Sequence, residues 1–329
     1  MQLTILDGKA LNPGDITWEE FTKYADVRVY EQTKESEVIS HIGSSDAILL
    51  NKINITSDVI SQCPNLKYIG VLATGYNVID LDATNKANIC VTNIPSYSTM
   101  AVAQHTFALM MQFSNQIEIH NASIRNGEWI DRDCFCYWKT PLIELYNKTL
   151  GIIGYGNIGK QVEKIAKAFG MNVLICPHKF NSNIENCVTM QELLAKSDFI
   201  SLHTPLTEET KQMINKDSIS QMKDGVFIIN TARGGLVNEL DVKEALINKK
   251  IAGYAADVVA NEPMNKDCPL LNVENCILTP HIAWAPLETR KRLMNIALDN
   301  FCSWLNNSPK TEYHSTKLLL EMYIHFNYN

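Results

Sequence analysis

Short apolar runs alternate with amphipathic stretches twice along this sequence, and that pattern leaves few folds open. In the first series the runs are Leu3–Leu6, Val27–Tyr30, Ala47–Leu50, Leu66–Leu72 and Ile89–Thr92. Candidate helices lie between them near Trp18–Tyr24, Ser36–Ile42, Ser57–Gln62 and Leu81–Lys86. Such alternation implies a parallel sheet covered by helices on both faces. Asn93-Ile94-Pro95 then breaks the pattern. The second series starts at Thr149, with runs at Leu150–Ile153, Val173–Cys176, Phe199–His203, Val226–Asn230, Gly253–Val258 and Cys276–Thr279. Two α/β units are expected, and a length of 329 residues agrees at about 150 residues per domain.

The stretch joining the two series is of another kind. Ala101–Met111 predicts a strongly apolar helix that continues, more polar, toward Arg125 and ends at Asn126-Gly127. Glu128–Pro141 is rich in aromatics without a period. It reads as an irregular arm, either an interface element or a loop packed on its own domain. A last helix is expected from after Trp284 to about Leu305. No repeat of the solenoid kind occurs.

Composition excludes several classes. The apolar fraction is 46% and the charged fraction 20%, which is that of a globular rather than a disordered chain. Thirty-six acidic against 29 basic residues give a net charge of −7, which argues against a general nucleic-acid or anionic-membrane binder. No apolar run nears the roughly 18–20 residues of a membrane span, and no signal peptide is read at the N-terminus. Nine scattered cysteines without a CxxC pair read as reduced thiols in a cytoplasmic protein. They offer no metal-ligand spacing, so no metal site is expected.

The strongest local motif is Gly154-Tyr155-Gly156-Asn157-Ile158-Gly159. A strand leads into it and a helix leaves it, with Ile158, Val162, Ile165 and Phe169 spaced for one helical face. Gly154 permits a tight turn, Gly156 lets backbone approach a pyrophosphate, and Gly159 lets the helix pack closely on its strand. A dinucleotide is the expected ligand. The following strand would end in an acid that holds the ribose hydroxyls, but it ends in Cys176-Pro177-His178-Lys179. His178 and Lys179 could attract a 2′-phosphate, so NADP is an open alternative to NAD. NAD is the preferred reading, because loss of one acid does not by itself create a phosphate site.

Three polar residues of different chemistry follow late strands, where open α/β sheets bind ligands. Arg233 follows Val226–Asn230, Glu262 follows the strand ending near Val258, and His281 follows Cys276–Thr279. Reduction of a 2-oxo acid needs a cation for the carboxylate, an acid for the developing alkoxide and a hydride donor. Arg233 offers a planar fork for the carboxylate, His281 can give or take a proton, and Glu262 can steady the imidazolium. Asp257 ends its strand, either accepting from a nicotinamide carboxamide or capping a turn.

At these residues the sequence resembles the D-isomer-specific 2-hydroxyacid dehydrogenases, and most of all their glycerate dehydrogenase (hydroxypyruvate reductase) branch. The matching stretches are 72–77, 93–97 with 102–105, 127–129, 148–159, 203–206, 231–234 and 279–284. The resemblance implies the formate/glycerate dehydrogenase-like fold, two Rossmann- or flavodoxin-like domains with a cleft between them. It implies a discontinuous substrate-binding domain, residues 1–98 plus 289–329, and an NAD(P)-binding domain, residues 99–288. By the same resemblance Arg233, Glu262 and His281 are catalytic, and Ala73, Thr74 and Gly75 meet the substrate carboxylate with backbone amides. Gly154–Ile158 would hold the pyrophosphate, Thr231, Ala232 and Asp257 would line the nicotinamide side, and Thr204 and Pro205 the cofactor. Thr99, at the domain crossing, is a further carried-over cofactor contact. A homodimer joined through the nucleotide domains is also implied.

Other residues have plainer readings. His105 sits in the apolar helix as a packing histidine, His203 is a wall of the cofactor site, and Lys52 is solvated rather than substrate-bound. The tail after Lys310 departs from the family ending, being apolar and aromatic enough to pack on a neighbour or merely to fray. The expected function is reversible NAD(P)H-dependent reduction of a small 2-oxo acid, hydroxypyruvate or glyoxylate first, with His281 as general acid/base. The alternatives are a phosphoglycerate, lactate or branched-chain substrate on the same fold, or a non-catalytic nucleotide-sensing protein.

Overall fold

The computed structural model describes residues 1–309; the tail expectation lies outside the described residues. The chain divides into two compact units, Met1–Tyr97 together with the stretch from Ala285 on, and Ser98–Trp284.

The first unit holds β1 (Gln2–Ile5), α1 (Gly8–Leu11), α2 (Glu19–Thr22), β2 (Asp26–Val29), α3 (Val38–Ile42), β3 (Ala47–Leu50), α4 (Ser57–Gln62), β4 (Tyr68–Val71), α5 (Leu81–Lys86) and β5 (Cys90–Thr92). All strands pair in parallel, in the order β2-β1-β3-β4-β5. Central β3 and β4 are buried along their whole length, which explains why they read as continuous apolar runs. The edge strand β2 is mostly exposed.

The second unit holds α6 (Thr99–Asn115), α7 (Ile117–Arg125), β6 (Thr149–Ile153), α8 (Asn157–Ala168), β7 (Asn172–Cys176), α9 (Met190–Lys196), β8 (Phe199–Leu202), α10 (Lys216–Ser220), β9 (Val226–Asn230), α11 (Glu239–Ile247), β10 (Ile251–Ala256) and β11 (Cys276–Leu278). Its sheet runs β11-β10-β9-β8-β6-β7, again all parallel. The last helix, α12 (Leu287–Leu305), belongs to the first unit. There Phe301 and Trp304 pack on Tyr68 of β4.

Two expectations change. The helix expected from Ala101 toward Arg125 is two helices, broken at Gln116, which takes the left-handed conformation at φ +46°. The break falls where the environment changes. α6 buries nine of its 17 residues and exposes one stripe, Met100, Gln104, Ala108 and Asn115, whereas α7 buries only Ser123 and leaves Ile117, Ile119 and Ile124 exposed. The buried face of α8 is Gly159, Val162, Glu163 and Ala166, with Ile158 and Ile165 half-buried against the same core; of the four expected residues only Phe169 falls outside it. The bare Gly159 pulls its own edge of the helix down, and Phe169 is left at the rim, stacked on Phe107 at 5.5 Å. Residues 128–141 carry no regular element.

Candidate active site

The site begins with a register. Cys176 pairs with Ile153, Ile153 with Leu202, Leu202 with Asn230, Asn230 with Ala256 and Ala256 with Leu278. All six strands of the second sheet therefore reach their C-terminal edge on one row. The next residues along that edge are Pro177, Gly154, His203, Thr231, Asp257 and Thr279. Open parallel sheets bind ligands outside this edge, at the point where strand order reverses. Here that point lies between β6 and β8, where the glycine loop stands.

The glycine loop fits a dinucleotide. Gly154 has φ +93°, and a Cβ there would lie 2.5 Å from the His203 carbonyl. A Cβ on Gly159 would lie 2.3 Å from the Gly154 oxygen. Both positions need glycine for packing. Gly156 does not, since a Cβ there meets nothing within 4 Å. Its bareness leaves room over the N-terminus of α8, which no side chain caps. Such an N-terminus favours a phosphate. Tyr155 beside it donates its hydroxyl to Glu163, and burial, with that contact second, pushes the phenol up to about 12. Asn157 and Ile158 open α8.

The loops after β7 and β8 flank this turn. Pro177 and His178 are half-buried and Lys179 is exposed, with no carboxylate among them. His203 bonds through Nε2 to the Ser201 hydroxyl at 2.7 Å. Its Nδ1 is enclosed without a partner among the described residues, and burial pushes the ring down to about 3. A neutral imidazole with one unpaired enclosed nitrogen suits a cofactor wall better than a proton donor. Thr204 is buried and Pro205 exposed.

The other half of the edge carries the loops of His281, Glu262 and Arg233. His281 Nδ1 lies 2.7 Å from Glu262 Oε2, and both side chains are partly exposed. A carboxylate only accepts, so Nδ1 carries the proton of that bond and Nε2 takes no part in it. His281 has φ +55°. This conformation is disfavoured in a non-glycine residue, and a network imposes it. Buried Asp257 accepts from the Thr279 hydroxyl at 2.5 Å, from Ile282 N at 2.9 Å and from Ala283 N at 2.7 Å. The turn-cap reading of Asp257 is thus the one its oxygens display.

Arg233 is exposed and leaves β9 through a tight turn, held by Asn230. The Asn230 amide accepts from Ala232 N at 3.0 Å and donates to Arg233 O at 2.9 Å. The Thr231 hydroxyl bonds Thr106 of α6 at 3.0 Å. Gly234 must be bare, because a Cβ would stand 2.0 Å from the Val259 carbonyl carbon. That approach sets the Arg233 turn against the loop that carries Glu262. Glu239 fixes the same loop by accepting from Ala260 N at 2.7 Å.

In the first unit, Ala73, Thr74 and Gly75 form the loop after β4. Ala73 O accepts from Ile94 N at 3.0 Å and Thr74 O from Asn93 Nδ2 at 2.7 Å. In a trans peptide the following N–H points the opposite way, so the Thr74 and Gly75 amides face away from Asn93-Ile94. Lys52 is exposed, and Thr99 opens α6 half-buried.

Sequence reasoning missed the residues behind the site. Asn230 and Glu239 carry no motif, and Thr279 only opens a matching stretch with no role assigned to it, although a polar side chain closing an apolar strand, as Asn230 does, is a usable signal. The packing role expected of His105 is incomplete. In the structure its Nε2 lies 3.0 Å from the Thr279 hydroxyl.

A sequence model of the D-isomer-specific 2-hydroxyacid dehydrogenase NAD-binding domain matches residues 107–283. The chain belongs to that family. It is 45% identical over 316 residues to a hydroxypyruvate reductase of Blautia hydrogenotrophica, covering 94% of this chain and 98% of the relative. It is 36% identical to a glycerate dehydrogenase of Methylorubrum extorquens, with the same coverages. Among solved structures, an acyclic imino acid reductase in complex with NADPH and D-arginine superposes with a TM-score of 0.82 at 31% identity, covering 95% of this chain and all of that one. This 2-hydroxyacid dehydrogenase is an oxidoreductase acting on a CH–OH group with a nicotinamide cofactor, on two parallel-sheet α/β domains.

Proposed function

We propose that this dehydrogenase reduces hydroxypyruvate to D-glycerate, with glyoxylate as a second substrate, and that Arg233, Glu262 and His281 carry the chemistry. The supporting observation is the 2.7 Å His281–Glu262 pair, set on the same sheet edge as the glycine loop. When bound, the reduced nicotinamide supplies the hydride to C2 of the 2-oxo acid. His281, protonated on both nitrogens, gives the Nε2 proton to the developing alkoxide while Glu262 steadies the imidazolium through Nδ1. Arg233 turns its guanidinium to the substrate carboxylate and carbonyl. The Thr74 and Gly75 amides, with Ala73, are the proposed carboxylate donors of the first unit. In the oxidative direction Nε2 takes the hydroxyl proton back.

Gly154–Gly159 would hold the pyrophosphate, and His203, Thr204 and Pro205 would form the wall beside it. Thr231 and Ala232 would line the nicotinamide side, Thr99 would add a contact from α6, and Asp257 would act from beneath through the His281 turn. NAD is the proposed cofactor. Pro177, His178 and Lys179 supply no acid against a 2′-phosphate, yet only one exposed cation for it. The substrate domain is proposed as residues 1–98 with 289–329, and the NAD(P)-binding domain as residues 99–288.

A homodimer through the nucleotide domain is proposed from the arm, where Ile130, Phe135 and Trp138 are 71%, 87% and 65% exposed. That much apolar surface on one segment marks an interface. A cytoplasmic location is proposed from nine free cysteines. Among the described residues no helix is long and apolar enough to cross a membrane.

The test is loss of reduced-nicotinamide absorbance with hydroxypyruvate, glyoxylate, pyruvate and phosphohydroxypyruvate, each with NADH and NADPH. Highest kcat/KM with hydroxypyruvate and NADH is expected. Preference for pyruvate or phosphohydroxypyruvate contradicts the substrate, and preference for NADPH contradicts the cofactor.

A further inference from the structure

We infer that His105 of α6 is a positioning residue for His281, acting through a directional hydrogen-bond chain. The inference rests on the proposed role of His281 as the proton donor.

The direction follows from proton counting. The Thr279 hydroxyl has one hydrogen. Asp257 Oδ1, 2.5 Å away, belongs to a carboxylate that can only accept. The hydroxyl hydrogen is thereby committed to Asp257. His105 Nε2, 3.0 Å from the same oxygen, must then donate to it. Nε2 carries a proton, and the chain runs from His105 Nε2–H to Thr279 Oγ1–H to Asp257 Oδ1. His105 Nε2 also lies 3.5 Å from Asp257 Oδ1 directly, which adds an attraction in the same direction.

The chain ends where His281 is held. Asp257 gathers the amides of Ile282 and Ala283, and the His281 amide bonds Thr279 O at 3.0 Å. Thr279 and Asp257 thus grip the turn on both sides of a residue at φ +55°. A left-handed histidine persists only while its surroundings over-determine it. His105 is the one member of the chain from outside the strand ends. It ties the turn to α6, a helix buried against the sheet. Half-buried between them, it is a hydrogen-bond donor where a packing histidine could have been any apolar side chain.

The test compares the full-length parent, His105→Phe, His105→Gln and Thr279→Val in NADH-dependent reduction of hydroxypyruvate. Loss of the donor leaves the half-buried Thr279 oxygen without the one bond it accepts from His105. The expected result for His105→Phe is a fall in kcat of about tenfold or more, with KM and NADH affinity within about twofold. Gln can donate from the same side and is expected to recover most of kcat. A change in packing alone would not be rescued this way. Thr279→Val, which cuts the next link, should match His105→Phe, and it replaces that variant if His105→Phe does not fold. Parent-like kcat in His105→Phe, or a Gln variant as slow as Phe at equal Tm, overturns the inference.

Selective 15N-histidine labelling reads the chain without turnover. A proton on Nε2 of the His105 ring is expected, and a ring protonated on Nδ1 alone overturns the chain. If the parent reduces none of the 2-oxo acids, the proposed function fails while the ring spectrum still decides the hydrogen bonds.

Discussion

His281 and Glu262 meet through one nitrogen and one oxygen, and that choice of atoms fixes what each substitution should do. Glu262→Gln keeps an acceptor but removes the charge that steadies an imidazolium, so kcat should fall about tenfold or more. Arg233→Lys replaces a planar fork by a point charge, and KM for the 2-oxo acid should rise about tenfold with NADH affinity unchanged. Steady-state kinetics with a parallel NADH titration checks both, and a loss of NADH affinity counts against either role. His203 predicts a stability effect. Its folded pKa, pushed down to about 3, lies below the roughly 6.5 of an unfolded histidine. Between those values the unfolded chain binds more protons, so stability rises with pH and falls on acidification. His203→Gln should flatten the decline of Tm between about pH 6.5 and 4, and an unchanged decline contradicts the burial account.

At the scale of elements, the glycines of the β6–α8 turn separate packing from binding. Gly159→Ala drives a methyl into the Gly154 carbonyl, whereas Gly156→Ala meets only open space. Gly156→Ala should therefore keep the parent Tm and lose dinucleotide affinity by about tenfold or more, since the methyl displaces a phosphate. Gly159→Ala should lower Tm itself. Calorimetry and an NADH fluorescence titration distinguish them, and equal Tm losses would contradict the difference in space. The strand–helix order was readable because buried parallel strands are continuous apolar runs, as in Ala47–Leu50 and Val226–Asn230. The break at Gln116 was not readable. It depends on what α6 and α7 pack against, and no local signal marks a glutamine for φ +46°. The places of Arg233, Glu262 and His281 after three strands were readable from the sequence, and their catalytic roles are proposals. Their supports were harder to read: Glu239, Thr279 and His105 act across 21, 22 and 174 residues of sequence that only the fold closes, and Asn230 works on its own turn, three residues away, without a motif to mark it. Asp257 was legible as a strand end, but choosing between a cap and a cofactor contact needed the amides of Ile282 and Ala283 in place.

For the whole molecule, the glycine loop and the proposed catalytic residues Arg233, Glu262 and His281 all belong to the second unit. The aromatic arm extends the argument to assembly. Phe135→Glu with Trp138→Glu should convert a dimer to a monomer in sedimentation equilibrium, because a charge buried in an interface is costly. A parent that is already monomeric would contradict the proposed dimer. The most direct test of the chemistry compares the parent with His281→Gln, measuring NADH oxidation by hydroxypyruvate and NADH binding on the same preparations. A fall in kcat of about 10²–10⁴-fold with NADH affinity intact is predicted. Turnover equal to the parent, or turnover and cofactor binding lost together, would contradict His281 as the proton donor.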